Sequence, residues 1–285
     1  MKLATFSAGG APEIGIVQGE TVVSISRARP SLAVDMMDLI GRWSEVEREA
    51  RGLAEASAGA VPLATVRLLA PVRRPGKIMA IGLNYADHIA ESGLGEPKDQ
   101  IWFSKATTAV NGPFDPIQIP KVSQAVDYEA EMVAVIGAGG RHIARANAAK
   151  AVFGYCVGND ATERAWQHRT TQWVLGKSFD SHAPFGPWIT TADEVADPHA
   201  LAIRGLVNGE VRQDSNTRHL VFNVFDQIAH LSEAMTLEPG DLIYTGTPGG
   251  VGAAMKPMRF LKAGDVVRVE IEGLGAIENP CADEA

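Results

Sequence analysis

Short apolar runs broken by glycine and proline dominate the chain, and their lengths and alternation are those of strands. Residues 1–25 contain three, "KLATF", "IGIVQ" and "TVVSI", the last after the turn "GE". Residues 33–58 differ: Ala, Glu, Arg and Leu predominate and β-branched residues are few, which predicts helix. "LLAPVRRPGK" at 68–77, with two prolines and a glycine, marks a boundary. It divides a small N-terminal α/β domain, 1–70, from a larger domain, 71–285.

Beyond the boundary the pattern predicts strands at 77–82, 101–105, 128–137, 151–160 and 185–191. A hairpin "IRGLVNGEVRQ" turns at Asn208-Gly209, and further strands follow at 241–246 and 265–275. Helices are expected near 84–92, 145–150, 162–170 and 221–235. In the last, Phe222, Phe225, Ile228, Ala229 and Met235 recur at close to 3.6 residues. Strands and helices do not alternate regularly, so the expected class is β-rich α+β.

Composition narrows the function classes. With 46% hydrophobic residues in 285, the chain can bury a sizeable core. Its net charge of −8 and scattered basic residues, clustered only in "VRRPGK", argue against a nucleic-acid surface. Cys156 lies in an apolar run and Cys281 in the C-terminal tail, with no metal or redox spacing. The first residues lack an apolar signal-peptide core and no stretch reaches transmembrane length, so no membrane partner and a cytoplasmic location are expected.

Three carboxylates, Asp127, Glu129 and Glu131, precede the apolar run of "DYEAEMVAVIG" at every second position and so share a strand face with Val133 and Val135. Several ionised carboxylates against aliphatic core are costly. Solvent, basic side chains or a cation must relieve them. A second strand, "FGYCVGND", ends in Asp160, which could equally cap the helix after it. Glu129, Glu131 and Asp160 form an all-oxygen set suited to Mg²⁺ or Mn²⁺, with Ca²⁺ also compatible, and three protein ligands leave positions open for a substrate.

In "GLNYADHIAES", His88 and Glu91 are three residues apart and share a helix face, as an oriented general base requires, or as an incidental surface pair would. Lys177, between glycine and aromatic residues, can meet an anionic substrate, or snorkel at the surface. The loop "YTGTPGGVG" exposes backbone N–H groups and the Thr247 hydroxyl to an oxyanion, or serves as a long turn. "VIGAGGRH" is not a dinucleotide loop, because His142 stands where the last glycine belongs. "GKS" at 176–178 is not a phosphate loop, because Thr171 replaces the leading glycine.

Taken in order, "KIMAIGLNYADHIAE", "DYEAEMVAVIG", "GYCVGNDATERAWQ", "GKSFDSHAPFGPWITTADE", "VNGEVRQDSNT" and "LEPGDLIYTGTPGGVG" resemble the fumarylacetoacetate hydrolase family over roughly residues 75 to 280. The resemblance implies a mixed β-roll catalytic domain, a Mg²⁺ or Mn²⁺ ion and a homodimer. It maps the family's metal site onto Glu129, Glu131 and Asp160, the His–Glu pair of its lid onto His88 and Glu91, and its active-site lysine onto Lys177. Its polar glutamine maps onto Gln167 and its oxyanion-loop threonine onto Thr247. One departure is visible: Ala165 follows Arg164 where family members often carry Asp.

The implied activity is metal-dependent hydrolysis of the C–C bond of an acylpyruvate-type 1,3-diketo acid, through a metal-stabilised pyruvate enolate. Decarboxylation, isomerisation or hydration of small anionic 2-oxo acids uses the same site. A non-catalytic sensor of a dicarboxylate is the reading from another class. It would be favoured by loss of His88, Glu91 or the acidic triad, and all are present.

Overall fold

The computed structural model describes residues 1–56, 59–93 and 95–285. Among these, the strands build a twelve-stranded sheet, a five-stranded sheet and a two-stranded ladder. The path of the large sheet is Val61–Pro62, Thr21–Ser24, Glu13–Gln18, Lys2–Ser7, Ala183–Thr191, Val152–Asn159, Ala130–Ile136, Leu242–Tyr244, Ile78–Gly82 and Ile101–Lys105. Pairing is antiparallel along most of it, with Leu242–Tyr244 parallel to Ile78–Gly82. The five-stranded sheet contains the hairpin of Ala202–Val207 and Glu210–Asn216. Its turn residues Asn208 and Gly209 both have positive φ, +53° and +79°, as a two-residue primed turn demands. The fold is α+β, β-rich and mixed. None of the described helices is long and apolar enough to cross a membrane.

The strand Ala130–Ile136 is buried throughout. Met132, Ala134 and Ile136 enter one hydrophobic cluster, while Val133 and Val135 enter another. A strand covered on both faces reads as a continuous apolar run, which is why "MVAVI" shows no polar alternation. Its partner Val152–Asn159 sets Asn159 opposite Ala130 and Gly158 opposite Glu131. Continuing that ladder, the Asp160 N–H donates to the Glu129 carbonyl at 2.9 Å. Register therefore brings Asp160 beside Glu129 and Glu131.

The first seventy residues join this architecture directly. Lys2 lies opposite Thr190 and Leu3 opposite Ile189. Leu3, Ile16 and Leu39 share one cluster with Val133, Phe153 and Phe185. The helices Met36–Gly41 and Trp43–Ala56 lie within the predicted helical stretch, of which residues 57 and 58 fall outside the described residues.

Two expectations need correction. The helix expected over 162–170 spans only Arg164–Gln167, because Thr162–Glu163 pairs as a strand with Val126–Asp127 and Glu163, not Asp160, caps the helix. The C-terminal residues read as a tail form the strand Gly275–Asp283, which pairs with Val266–Ile271 and with Ile117–Ile119 and buries Cys281. Ile277, Asn279 and Cys281 alternate inward along it, a pattern that the polar Asn279 and Pro280 mask in the sequence.

Candidate active site

Ligand oxygens of Glu129, Glu131 and Asp160 lie within 4.8 Å of one another, all buried. Such a group survives only with compensating charge. Lys177 lies between two of the acids, its Nζ 2.7 Å from Glu129 Oε2 and 2.6 Å from Asp160 Oδ2. Lys105 donates to the other oxygen of Asp160 and, at 3.2 Å, to the Ala161 carbonyl. Arg164 bridges Glu129 Oε1 at 2.7 Å and Asp127 Oδ2 at 2.9 Å. Glu131 accepts a backbone N–H from Gly246 at 2.8 Å.

With Asp127 included, four carboxylates face three cations. Burial opposes ionisation of Glu129, but Lys177 and Arg164 outweigh it and hold its pKa down to about 2. Burial pushes Glu131 well above the usual carboxylate range, and the neighbouring Asp160 and Glu129 add to that. For Lys177, burial favours the neutral amine, yet Asp160 and Glu129 raise its pKa above the ordinary value. Burial lowers that of Lys105, its proximity to Asp160 notwithstanding.

The cluster opens into a cavity of about 490 Å³. Glu129, Lys177, Gln167, Thr247, His88 and Glu91 all line it, so the structure gathers the residues singled out in the sequence. His88 and Glu91 lie on the helix Ala86–Ser92, with Nδ1 3.6 Å from Glu91 Oε2. That is just outside hydrogen-bond distance, and free enzymes often hold such pairs loosely. The Glu91 carboxylate is fixed from its far side by the Gly250 N–H at 2.9 and 3.1 Å. Gln167 accepts from Arg164 Nη1 at 3.0 Å, and the Thr247 hydroxyl accepts from Gln213 Nε2 at 2.8 Å.

Gly176 explains how Lys177 reaches this place. A β-carbon there would stand 2.3 Å from the Gln167 backbone nitrogen, so glycine lets the segment Val174–Lys177 pack onto the helix Arg164–Gln167. Sequence reasoning missed Lys105, which ends the predicted strand "IWFSK", because its partner Asp160 is 55 residues away. The same applies to Arg164 as a bridge and to Gln213 as the support of Thr247. Asp127 stands apart from the triad. Its oxygens are taken by Arg164, by the Tyr128 N–H at 2.9 Å, and by the N–H groups of Gly252 and Ala253 at 2.8 and 3.0 Å.

The donor set fits a hard divalent cation. It is all carboxylate oxygen, contains no Cys or His, and comes from two paired strands and the residues flanking them rather than one flexible loop. Residues 77–282 match the family described as "Fumarylacetoacetate (FAA) hydrolase C-terminal", and residues 1–71 match "Rv2993c-like, N-terminal". Oxaloacetate tautomerase fahd2, mitochondrial, of Xenopus laevis is 41% identical, covering 98% of this chain and 90% of that protein. Oxaloacetate tautomerase FAHD2A, mitochondrial, of Homo sapiens is 43% identical, covering 94% and 87%.

Among solved structures, fumarylacetoacetate hydrolase from psychrophilic Exiguobacterium antarcticum has a TM-score of 0.87 at 36% identity. Maleylpyruvate hydrolase from Sphingobium sp. SYK-6, solved with manganese(II) and pyruvate, has 0.83 at 35%. Both comparisons cover all of each chain. Fold, co-linear motifs and identity agree, and the chain belongs to the fumarylacetoacetate hydrolase family of enzymes.

Proposed function

We propose that this protein is a divalent-cation-dependent enzyme that interconverts the keto and enol forms of a small 2-oxo dicarboxylate of the oxaloacetate type. The observation that carries the reading is the meeting, in one cavity, of Glu129 from the carboxylate cluster with the His88–Glu91 pair. The oxaloacetate tautomerases that match over nearly the whole chain support the same reading.

The Glu91 carboxylate favours the His88 tautomer with the proton on Nδ1, leaving Nε2 as the base. Nε2 removes a proton from C3 of the bound acid, and the imidazolium so formed gives that proton to the C2 oxygen, yielding the enol and restoring neutral His88. The reverse transfers restore the ketone. Lys177 and Arg164 offset the carboxylates at the floor and so reduce their repulsion of an anionic substrate, and Gln167 and Thr247 offer polar contacts to its oxygens. The chemistry supplied by a divalent cation held by Glu129, Glu131 and Asp160 is Lewis-acid polarisation of the 2-oxo group, which acidifies the neighbouring C–H.

The second reading is hydrolysis of the C–C bond of an acylpyruvate. There His88 takes its proton from water, which attacks the distal carbonyl. The family member named maleylpyruvate hydrolase favours it.

One experiment separates the two. Chelator-stripped protein is reloaded with Mg²⁺ or Mn²⁺. Decay of the oxaloacetate enol absorbance is followed beside pyruvate release from acetylpyruvate. Accelerated tautomerisation that disappears with chelator, and falls roughly a hundredfold or more in His88→Ala, is the expected result. Pyruvate release without tautomerisation would replace the first reading by the second. Full tautomerase activity in His88→Ala would remove His88 as the base.

A further inference from the structure

We propose that Lys256 recognises the second carboxylate of the substrate and thereby selects 2-oxo dicarboxylates over 2-oxo acids with an apolar tail. This rests on the reading above for the reaction and its dicarboxylate substrate, and it adds the residue that recognises the second carboxylate.

The argument starts from how the charges around the cavity are spent. Arg164 is engaged by Asp127 and Glu129, and Lys177 by Glu129 and Asp160. Glu91 is occupied by the Gly250 N–H and faces His88. His168, at the cavity wall, has its charged form disfavoured by partial burial and by Arg164. Lys256 also lines the cavity, is exposed, and has no carboxylate or hydrogen-bond partner among the described residues. Its ammonium is the lysine charge at this wall left for a ligand to neutralise.

The loop that carries Lys256 is not loosely attached. Asp127 receives the N–H groups of Gly252 and Ala253, and the Arg259 N–H closes the loop onto the Gly252 carbonyl at 3.0 Å. The same Asp127 grips Arg164, which in turn grips Glu129. A chain of buried charge thus fixes the position of the Lys256 loop relative to the carboxylate cluster. Ile81, Leu83, Trp173, Val251 and Ala254 give the wall an apolar part, and the Gln167 and Thr247 side chains that also line it carry no charge. A carboxylate placed there without Lys256 would lose its water and gain no counter-charge. An ammonium on a flexible stem suits an anion whose distance from the 2-oxo group varies.

The test uses Lys256→Met, which keeps the length of the stem, and Lys256→Arg, which restores the charge. Tautomerisation of oxaloacetate, a dianion, is compared with that of phenylpyruvate, a monoanion. Binding of malate is compared with that of lactate by calorimetry, both being 2-hydroxy acids that cannot enolise. Lys256→Met is expected to reduce the preference for oxaloacetate over phenylpyruvate roughly tenfold to a hundredfold, through KM more than kcat. It should reduce the preference for malate over lactate by a similar factor, and Lys256→Arg should recover most of both.

Equal losses on both members of each pair, or no loss, would overturn the inference. If the wild-type protein turns over no enolisable 2-oxo acid, the proposed reaction fails. The malate–lactate comparison then still decides the role of Lys256.

Discussion

Glu131 meets no cation within ion-pair distance among the described residues, although it is buried beside two other acids. Its alternation with Glu129 was legible in "DYEAEM", because a period of two is a local property. The cations that offset the cluster were not, because Lys105, Arg164 and Lys177 reach it from separate segments. His182 shows the same limit. It is fully buried, and its Nε2–H donates to the Gln118 carbonyl at 2.9 Å. Burial, against the pull of that hydrogen bond, lowers its pKa from 6.5 to about 4. Between these values the unfolded chain binds a proton that the folded chain refuses. Stability contributed above pH 6.5 is therefore lost as pH falls toward 4, by about 3 kcal/mol. Urea titrations across this window should show that loss in the wild type, and His182→Asn should lose clearly less stability over the same range. A parallel slope in both proteins would assign the acid sensitivity elsewhere.

At the level of elements, the helix Ala86–Ser92 depends on a loop it does not contact in sequence. Gly250, in the stretch after Leu242–Tyr244, has φ +102°, and a β-carbon there would stand 2.0 Å from the Arg212 carbonyl. That conformation is strained for any other residue and aims the Gly250 N–H at Glu91. Gly250→Ala is expected to displace the loop and loosen Glu91, lowering kcat at least tenfold. Mn²⁺ affinity, read by electron paramagnetic resonance, should stay within about twofold, a margin inside the additivity expected of separate sites. A large loss of Mn²⁺ affinity would mean that the loop supports the carboxylate cluster as well. The glycine-rich character of "TGTPGGVG" was visible in the sequence. Which glycine turns toward the His88 helix was not, since that follows from the packing of Arg212.

On the scale of the molecule, the strand Lys2–Ser7 joins the first seventy residues to the sheet that carries the site. Its neighbour Ala183–Thr191 pairs in turn with Val152–Asn159, the strand leading to Asp160. Removing residues 1–70 would strip Ala183–Thr191 of that partner and expose Phe153, Phe185 and Ile189. A chain of residues 71–285 is expected to aggregate or to lack a cooperative thermal transition, and co-expressed residues 1–70 should rescue it. A soluble, cooperatively folding 71–285 chain with wild-type activity would contradict this.

The sequence by itself determined the β-rich character, most of the longer strands to within two residues, the every-second spacing of the acidic pair and the His88–Glu91 spacing. All of these are set by side chains a few positions apart. Six motifs in order carried the family resemblance for the same reason. Tertiary structure decided what depends on contacts between distant segments: the shared sheet, the burial of Cys281, and the shortened helix after Asp160. It also decided the cations that surround the carboxylates and the loop that brings Lys256 to the cavity. Burial and electrostatic compensation are properties of the packed chain, and local patterns do not encode which lysine will meet which acid.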